Sequence, residues 1–88
     1  MKIAFASSFE RDLRKLTESA VRVAVRQAIA RVEAAKDPGE IVGLRKLRTG
    51  KAYYRLRVGD YRLGMIIRSS DVTFVRFLHR SEVYRYFP

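Results

Sequence analysis

The succession of apolar runs along these 88 residues predicts an α+β fold of the order β-α-α-β-β-β, with two N-terminal helices packed on one face of a small, antiparallel-rich sheet. Three observations predict it. A short apolar run opens the chain, two stretches with apolar residues three or four apart follow it, and the second half holds three runs of strand-like alternation separated by short polar turns. With 48% hydrophobic residues the chain is long enough for one core and too short for two, so residues 1–88 are expected to form a single domain.

Residues 2–6 make the first strand. Ser7 and Glu10 then have the three-residue spacing of a capping box, in which each side chain satisfies a free amide of a helix's first turn. The helix so begun presents Phe9, Leu13 and Leu16 on one face. A second helix is expected from about 18 to 36, with Val21, Val25, Ile29 and Val32 on its apolar stripe and Arg22, Arg26 and Glu33 on its wet side. Asp37-Pro38-Gly39 ends it. The segment 44–48 leads from Gly43 into a turn at Thr49-Gly50, and strands follow at 53–58, 61 to about 67 and 72 to about 78. Gly59-Asp60 and Ser69-Ser70 punctuate them. No internal repeat and no low-complexity linker interrupts this order.

Charge and composition narrow the function. Nineteen Lys and Arg against nine Asp and Glu leave a net charge of +10, a strongly positive field on so small a surface. Nucleic acid is the expected partner, because phosphate contacts supply most sequence-independent affinity, and an acidic protein fits as well. The absence of cysteine excludes disulfides and thiolate metal sites, so neither a metal nor another cofactor is expected. No segment reaches the roughly 20 apolar residues that span a bilayer, which points to a cytoplasmic protein without a membrane partner.

Alternation in the strand before Gly59 sends Tyr54, Leu56 and Val58 to one side and Tyr53, Arg55 and Arg57 to the other. A two-residue turn at Gly59-Asp60 would set Val58 opposite Tyr61, Arg57 opposite Arg62, Leu56 opposite Leu63 and Arg55 opposite Gly64. One face of the hairpin, Tyr54, Leu56, Val58, Tyr61, Leu63 and Met65, is then a core surface. The other face carries Arg55, Arg57 and Arg62 around Gly64. Like charges directly opposite in a sheet are destabilising, so a bound phosphate supplies the reason that folding does not. The missing side chain at Gly64 is expected to let an RNA backbone approach beside Arg55.

The run Tyr54-Arg55-Leu56-Arg57-Val58-Gly59-Asp60-Tyr61-Arg62, with His79-Arg80-Ser81-Glu82-Val83-Tyr84 downstream, resembles the signature of RelE-family toxins of bacterial and archaeal toxin–antitoxin pairs. Lys46-Leu47 ahead of Gly50, and the helix pair after the first strand, also stand where that family has them. The resemblance covers nearly the whole chain. It implies a microbial-RNase-like fold and a ribosome-dependent endonuclease that cuts messenger RNA in the A site and so inhibits translation. It further implies a cognate acidic antitoxin, through which the toxin–antitoxin complex binds its own operator DNA.

Attack of a ribose 2′-hydroxyl on the adjacent phosphate needs a base, positive charge for the phosphorane, and an acid for the leaving oxygen. Arg55, Arg57 and Arg62 suit the charge, since planar guanidinium groups fork onto phosphate oxygens. The best-known family members have lysine where this chain has Arg55 and Arg57, and arginine cannot act as a base near neutral pH. His79, the only histidine, carries the one side-chain type that naturally trades protons there, and it is a candidate base or acid. Tyr84 corresponds to a family tyrosine that stacks on a base of the codon; alternatively it closes a small cluster with Tyr86 and Phe87. Arg80 is a further candidate phosphate contact, while Leu78 occupies the place of an arginine found in some relatives. Arg45, Lys46 and Lys51 would extend the positive surface toward ribosomal RNA. Two other readings stay open: a ParE-like toxin, a sibling fold that inhibits DNA gyrase, and a non-catalytic basic module that binds nucleic acid.

Overall fold

Alternating side chains need a layer to cover their apolar side, and here helices supply it. A computed structural model describes residues 1–49 and 51–88; Gly50, expected in a turn, lies outside the described residues. The elements are β1 (Lys2–Phe5), α1 (Ser7–Arg14), α2 (Ser19–Ala34), a 3₁₀ turn (Pro38–Glu40), β2 (Arg45–Lys46), β3 (Tyr53–Val58), β4 (Tyr61–Arg68), β5 (Asp71–His79) and α3 (Val83–Tyr86). The strands form one mixed sheet in the order β1-β5-β4-β3-β2. β1 runs parallel to β5, and the other pairs are antiparallel. No helix among the described residues is long and apolar enough to cross a membrane.

The expected β3–β4 register is the observed one, Val58 opposite Tyr61 through Arg55 opposite Gly64. Gly59, at φ 60°, takes the first central position of the turn, where a positive φ favours glycine. Leu56, Leu63 and Met65 are buried beneath the helices with Phe9, Leu16, Val25, Ala28 and Val32, and Tyr54, Val58 and Tyr61 pack at the margin. Both α1 and α2 therefore cover one face, as the apolar stripes require. Phe9, buried, meets the exposed Phe5 and the buried Phe74 at centroid distances of 5.8 and 5.6 Å, joining α1 to β1 and β5.

The capping box does not form. Ala6 is the N-cap of α1, and Ser7 stands one position too late to cap it. The polar side chains of α1 serve β5 instead. β1 pairs with β5 only as far as Phe74, because the chain then leaves the sheet to start α1, which leaves the rest of that strand edge open. The helix closes the edge: the Ser8 hydroxyl donates to the Val75 carbonyl at 2.6 Å, and the buried Asp12 carboxylate accepts from the Phe77 amide at 2.9 Å. Asp12 also accepts a forked pair from Arg76, Nε at 2.8 Å and Nη2 at 3.1 Å. That hydrogen bonding raises the Arg76 pKa above its ordinary value, so the stability it contributes is complete below that value and fades only in strong alkali. Arg22 of α2 donates to the Leu16 carbonyl through Nε at 3.1 Å and Nη2 at 2.6 Å, so its charge on the wet side has a structural use in closing the turn after α1.

Two elements were not expected from the alternation. β2 has two residues, too few to show a period, and it is recognised only by its pairing, Arg45 with Arg55 and Lys46 with Tyr54. α3 has four residues and lies against the outer face of the sheet, the one that carries Arg55, Arg57 and Arg62. There Val83 and Phe87 are buried with Leu78 in a second small core, bordered by Leu47, Tyr53 and Val75.

Asp12→Ala should lower unfolding stability by about 2 kcal/mol, because it strips a buried amide and a guanidinium of their shared acceptor. Urea titration checks this, and an unchanged midpoint would remove Asp12 from its place as the link between α1 and β5.

Candidate anion site on the outer face of the sheet

Strand pairing gathers the arginines. Arg57 lies opposite Arg62, and Arg45, Arg55 and Gly64 form a row across β2, β3 and β4. Paired residues point to the same side of a sheet, so all four arginines leave on the face away from α1 and α2. Together with Tyr84 and Gly43 they line a hollow of about 300 Å³. The Arg55 guanidinium lies 4.8 Å from the centroid of the Tyr84 ring, within the range of a cation–π contact.

The charges of this hollow are not neutralised from within. Among the described residues the ion pairs are Arg76 with Asp12 and Arg80 with Asp60, and neither involves Arg45, Arg55, Arg57 or Arg62. Arg62 Nη1 donates to the carbonyls of Gly59 at 3.1 Å and Tyr61 at 2.9 Å, which holds its side chain beside the hairpin turn. Facing guanidinium groups without a carboxylate make a site for an anion with several oxygens, and a phosphodiester has that form.

The structure does not gather every candidate group into the hollow. His79 is not in the hollow: it lies opposite Tyr61, two residues beyond the Leu63–Phe77 pair, and alternation puts it on the helix side. Its ring meets that of Tyr61 edge-on at 5.4 Å, and its Nδ1 accepts from the Ser81 amide at 3.2 Å and lies 2.8 Å from the Ser81 hydroxyl. The space above Gly64 is not open to RNA, because a Cβ there would come within 2.8 Å of the Phe87 ring. The alternative reading of Tyr84 is not the one seen, since the C-terminal aromatic residues do not close into one cluster. Phe87 is buried, Tyr84 is 80% exposed beside Arg55, and Tyr86 lies near Arg76 and Arg85.

The remaining basic candidates divide. Arg45 lines the arginine hollow. Lys46 turns to the opposite side of β2, and with Lys51 and Arg68 it borders a separate hollow of about 550 Å³. Arg80 is exposed at the hairpin tip, where its amide donates to the Asp60 carbonyl at 2.7 Å. Another hollow, of about 420 Å³, is bordered by Asp12, Lys15, Arg76, His79, Glu82 and Tyr86, so charges of both signs line it, and Asp12 pairs with Arg76 there. Arg68 carried no sequence signal, since an arginine ending a strand is ordinarily a solvated one.

Residues 3–84 match the family model described as the ParE toxin of type II toxin–antitoxin system, parDE. The chain is 33% identical over 89 residues to Toxin RelE3 of Methanocaldococcus jannaschii, with the whole of both chains covered. Among solved structures it is similar to the RelB–RelE antitoxin–toxin complex from Methanococcus jannaschii, with a TM-score of 0.78 and 30% identity over 96% of this chain and 98% of that one. The toxin–antitoxin complex RelBE2 from Mycobacterium tuberculosis follows at 0.68 and 25%, with 91% of each chain covered. YafQ from E. coli shares the fold at 0.66 and 14% identity, over 94% of this chain and 97% of that one.

Titration with inorganic phosphate should shift the side-chain NMR resonances of Arg45, Arg55, Arg57 and Arg62 together while leaving the His79 ring unmoved. A response spread evenly over all surface arginines would show that the four do not form one site.

Proposed function

The chain belongs to the RelE/ParE superfamily of toxins of type II toxin–antitoxin systems, and from that premise we propose that it is a ribosome-dependent endoribonuclease of the cytoplasm, cutting messenger RNA in the A site. The observation that carries this reading is the hollow on the outer sheet face, where Arg45, Arg55, Arg57, Arg62 and Tyr84 stand together.

In this reading the 2′-hydroxyl gives its proton to water as its oxygen attacks the adjacent phosphorus, the bond to the 5′ oxygen breaks, and that oxygen takes a proton from water, so the products are a 2′,3′-cyclic phosphate and a 5′-hydroxyl end. Charge grows on the non-bridging oxygens as the phosphorane forms, and Arg55, Arg57 and Arg62 face the place where it grows. Such donors act by being fixed in advance, and the β3–β4 pairing fixes their Cα atoms. Tyr84, exposed beside Arg55, offers a ring face to a base of the codon and so sets the sugar for in-line attack. Arginine keeps its proton, and His79 lies across the sheet, so this site works by charge and orientation rather than through a histidine base. Lys46, Lys51 and Arg80 stand outside the hollow, where they would meet ribosomal RNA.

The partner would be a cognate acidic antitoxin that covers the basic face and blocks the ribosome, as the net charge of +10 and the antitoxin complexes of the relatives support. Operator DNA would be bound by that complex through the antitoxin. The match to the ParE family model favours one second reading, inhibition of DNA gyrase by binding.

Induction in cells separates the two readings. Codon-dependent 5′ ends on messages from translating ribosomes support the nuclease, whereas a DNA-damage response with intact messages supports gyrase. Arg62→Ala should reduce message cleavage on programmed ribosomes by roughly 100-fold or more while the protein stays folded, because its side chain leaves the core face. His79→Asn should cleave within about threefold of the parent with an unchanged pH profile, since it removes no group from the hollow. Undiminished cutting by Arg62→Ala would overturn the assigned site, and a large loss in His79→Asn would restore histidine chemistry.

A further inference from the structure

Tyr84 is 80% exposed, so burial does not hold its ring over Arg55. Its backbone does, and α3 sets that backbone. A helix of four residues has no stability of its own, because isolated helices are marginal below about 12 residues. The place of α3 comes from the two apolar side chains that flank Tyr84 in sequence, Val83 at 2% and Phe87 at 5% exposure.

Phe87 has a made-to-measure seat. Gly64 lies between Arg55 on β3 and Arg76 on β5, on the outer face, and a Cβ there would come within 2.8 Å of Phe87 Cε1 and Cζ. The ring lies in the space left by the missing side chain and meets Tyr53 edge-on at 5.5 Å and 88°. Glycine weakens a strand, and Gly64 does not have the positive φ that would require one, so its use here is room for the ring. The seat adjoins Arg55, the residue whose guanidinium Tyr84 covers.

We propose that Gly64 and Phe87 are a positioning pair: the ring seated on the glycine fixes α3 and thereby sets Tyr84 over Arg55. This rests on the nuclease reading only for its consequence in cleavage. Neither residue lines the hollow, and a methyl group at position 64 should displace Tyr84 while leaving every side chain that lines the hollow chemically unchanged.

The test is a double-mutant cycle of Gly64→Ala and Phe87→Leu, read by NMR. Arg55 side-chain protons stacked on the Tyr84 ring resonate upfield, and Tyr84→Leu defines their position without it. Gly64→Ala should carry these resonances to the Tyr84→Leu position, and adding Phe87→Leu, which makes room for the methyl, should bring them back toward the parent. The methyl is compatible with strand backbone, so both variants should keep the core resonances of Leu56 and Leu63 in place. On programmed ribosomes, Gly64→Ala should lower kcat by roughly 100-fold, the scale of a 1 Å misplacement, with KM unchanged. The double variant should recover much of that loss. Arg55 resonances unmoved by Gly64→Ala, or no restoration in the double variant, would overturn the pairing. A parent protein that cuts no message would overturn the nuclease reading instead, and the spectra would still decide between a positioning pair and a plain plug.

Discussion

A strand turns successive side chains to opposite sides, and the two-residue turn at Gly59 and Asp60 sets how two such strands face each other. With Val58 opposite Tyr61, Leu56 and Leu63 meet under the helices while Arg57 and Arg62 meet on the other side. A slip of one residue would drive guanidinium groups into the core and expose the leucines, at a cost far above the tenths of a kcal/mol that facing arginines incur. Burial of the apolar side therefore enforces the crowding of charge on the outer side. The hollow follows from the core.

The outer face is not left bare, and that changes the kind of site it is. α3 and the small core of Leu78, Val83 and Phe87 cover part of it, so the arginines there, half-buried at Arg55 and Arg62 and exposed at Arg45 and Arg57, are bounded by packed structure. An anion held there would meet groups already fixed by strand pairing, with Tyr84 placed by a helix that itself depends on tertiary contacts. Fixed donors need little reorganisation when charge develops beside them, which is the property that the proposed cleavage would draw on.

At the other side of the molecule, α1 gives its polar residues to the edge of β5 that β1 leaves open. Ser8 and Asp12 satisfy backbone groups that a neighbouring strand would otherwise pair, and the Asp12–Arg76 pair gives that charge a local partner. Arg76 is thus an arginine in use for the fold, whereas Arg55, Arg57 and Arg62 have no carboxylate among the described residues. Composition counts all of them alike.

Much of the fold and of the site could be read before any coordinates. Period-2 alternation and a two-residue turn determined the β3–β4 register, the core face of the hairpin and the common side of Arg55, Arg57 and Arg62, because these depend on local geometry alone. The helices were legible from their apolar stripes. Tertiary structure alone decided which side His79 takes, since the pairing of β5 with β4 includes a shift between Gly64 and Met65 and its parity cannot be counted from a turn. It also decided that Ser7 and Glu10 form no capping box while Ser8 and Asp12 serve a strand edge, and that Phe87, 23 positions along the chain, fills the space at Gly64. The division has one physical reason: alternation and turns act between neighbours in sequence, while a seat for an aromatic ring exists only once distant strands and the C-terminal helix have come together.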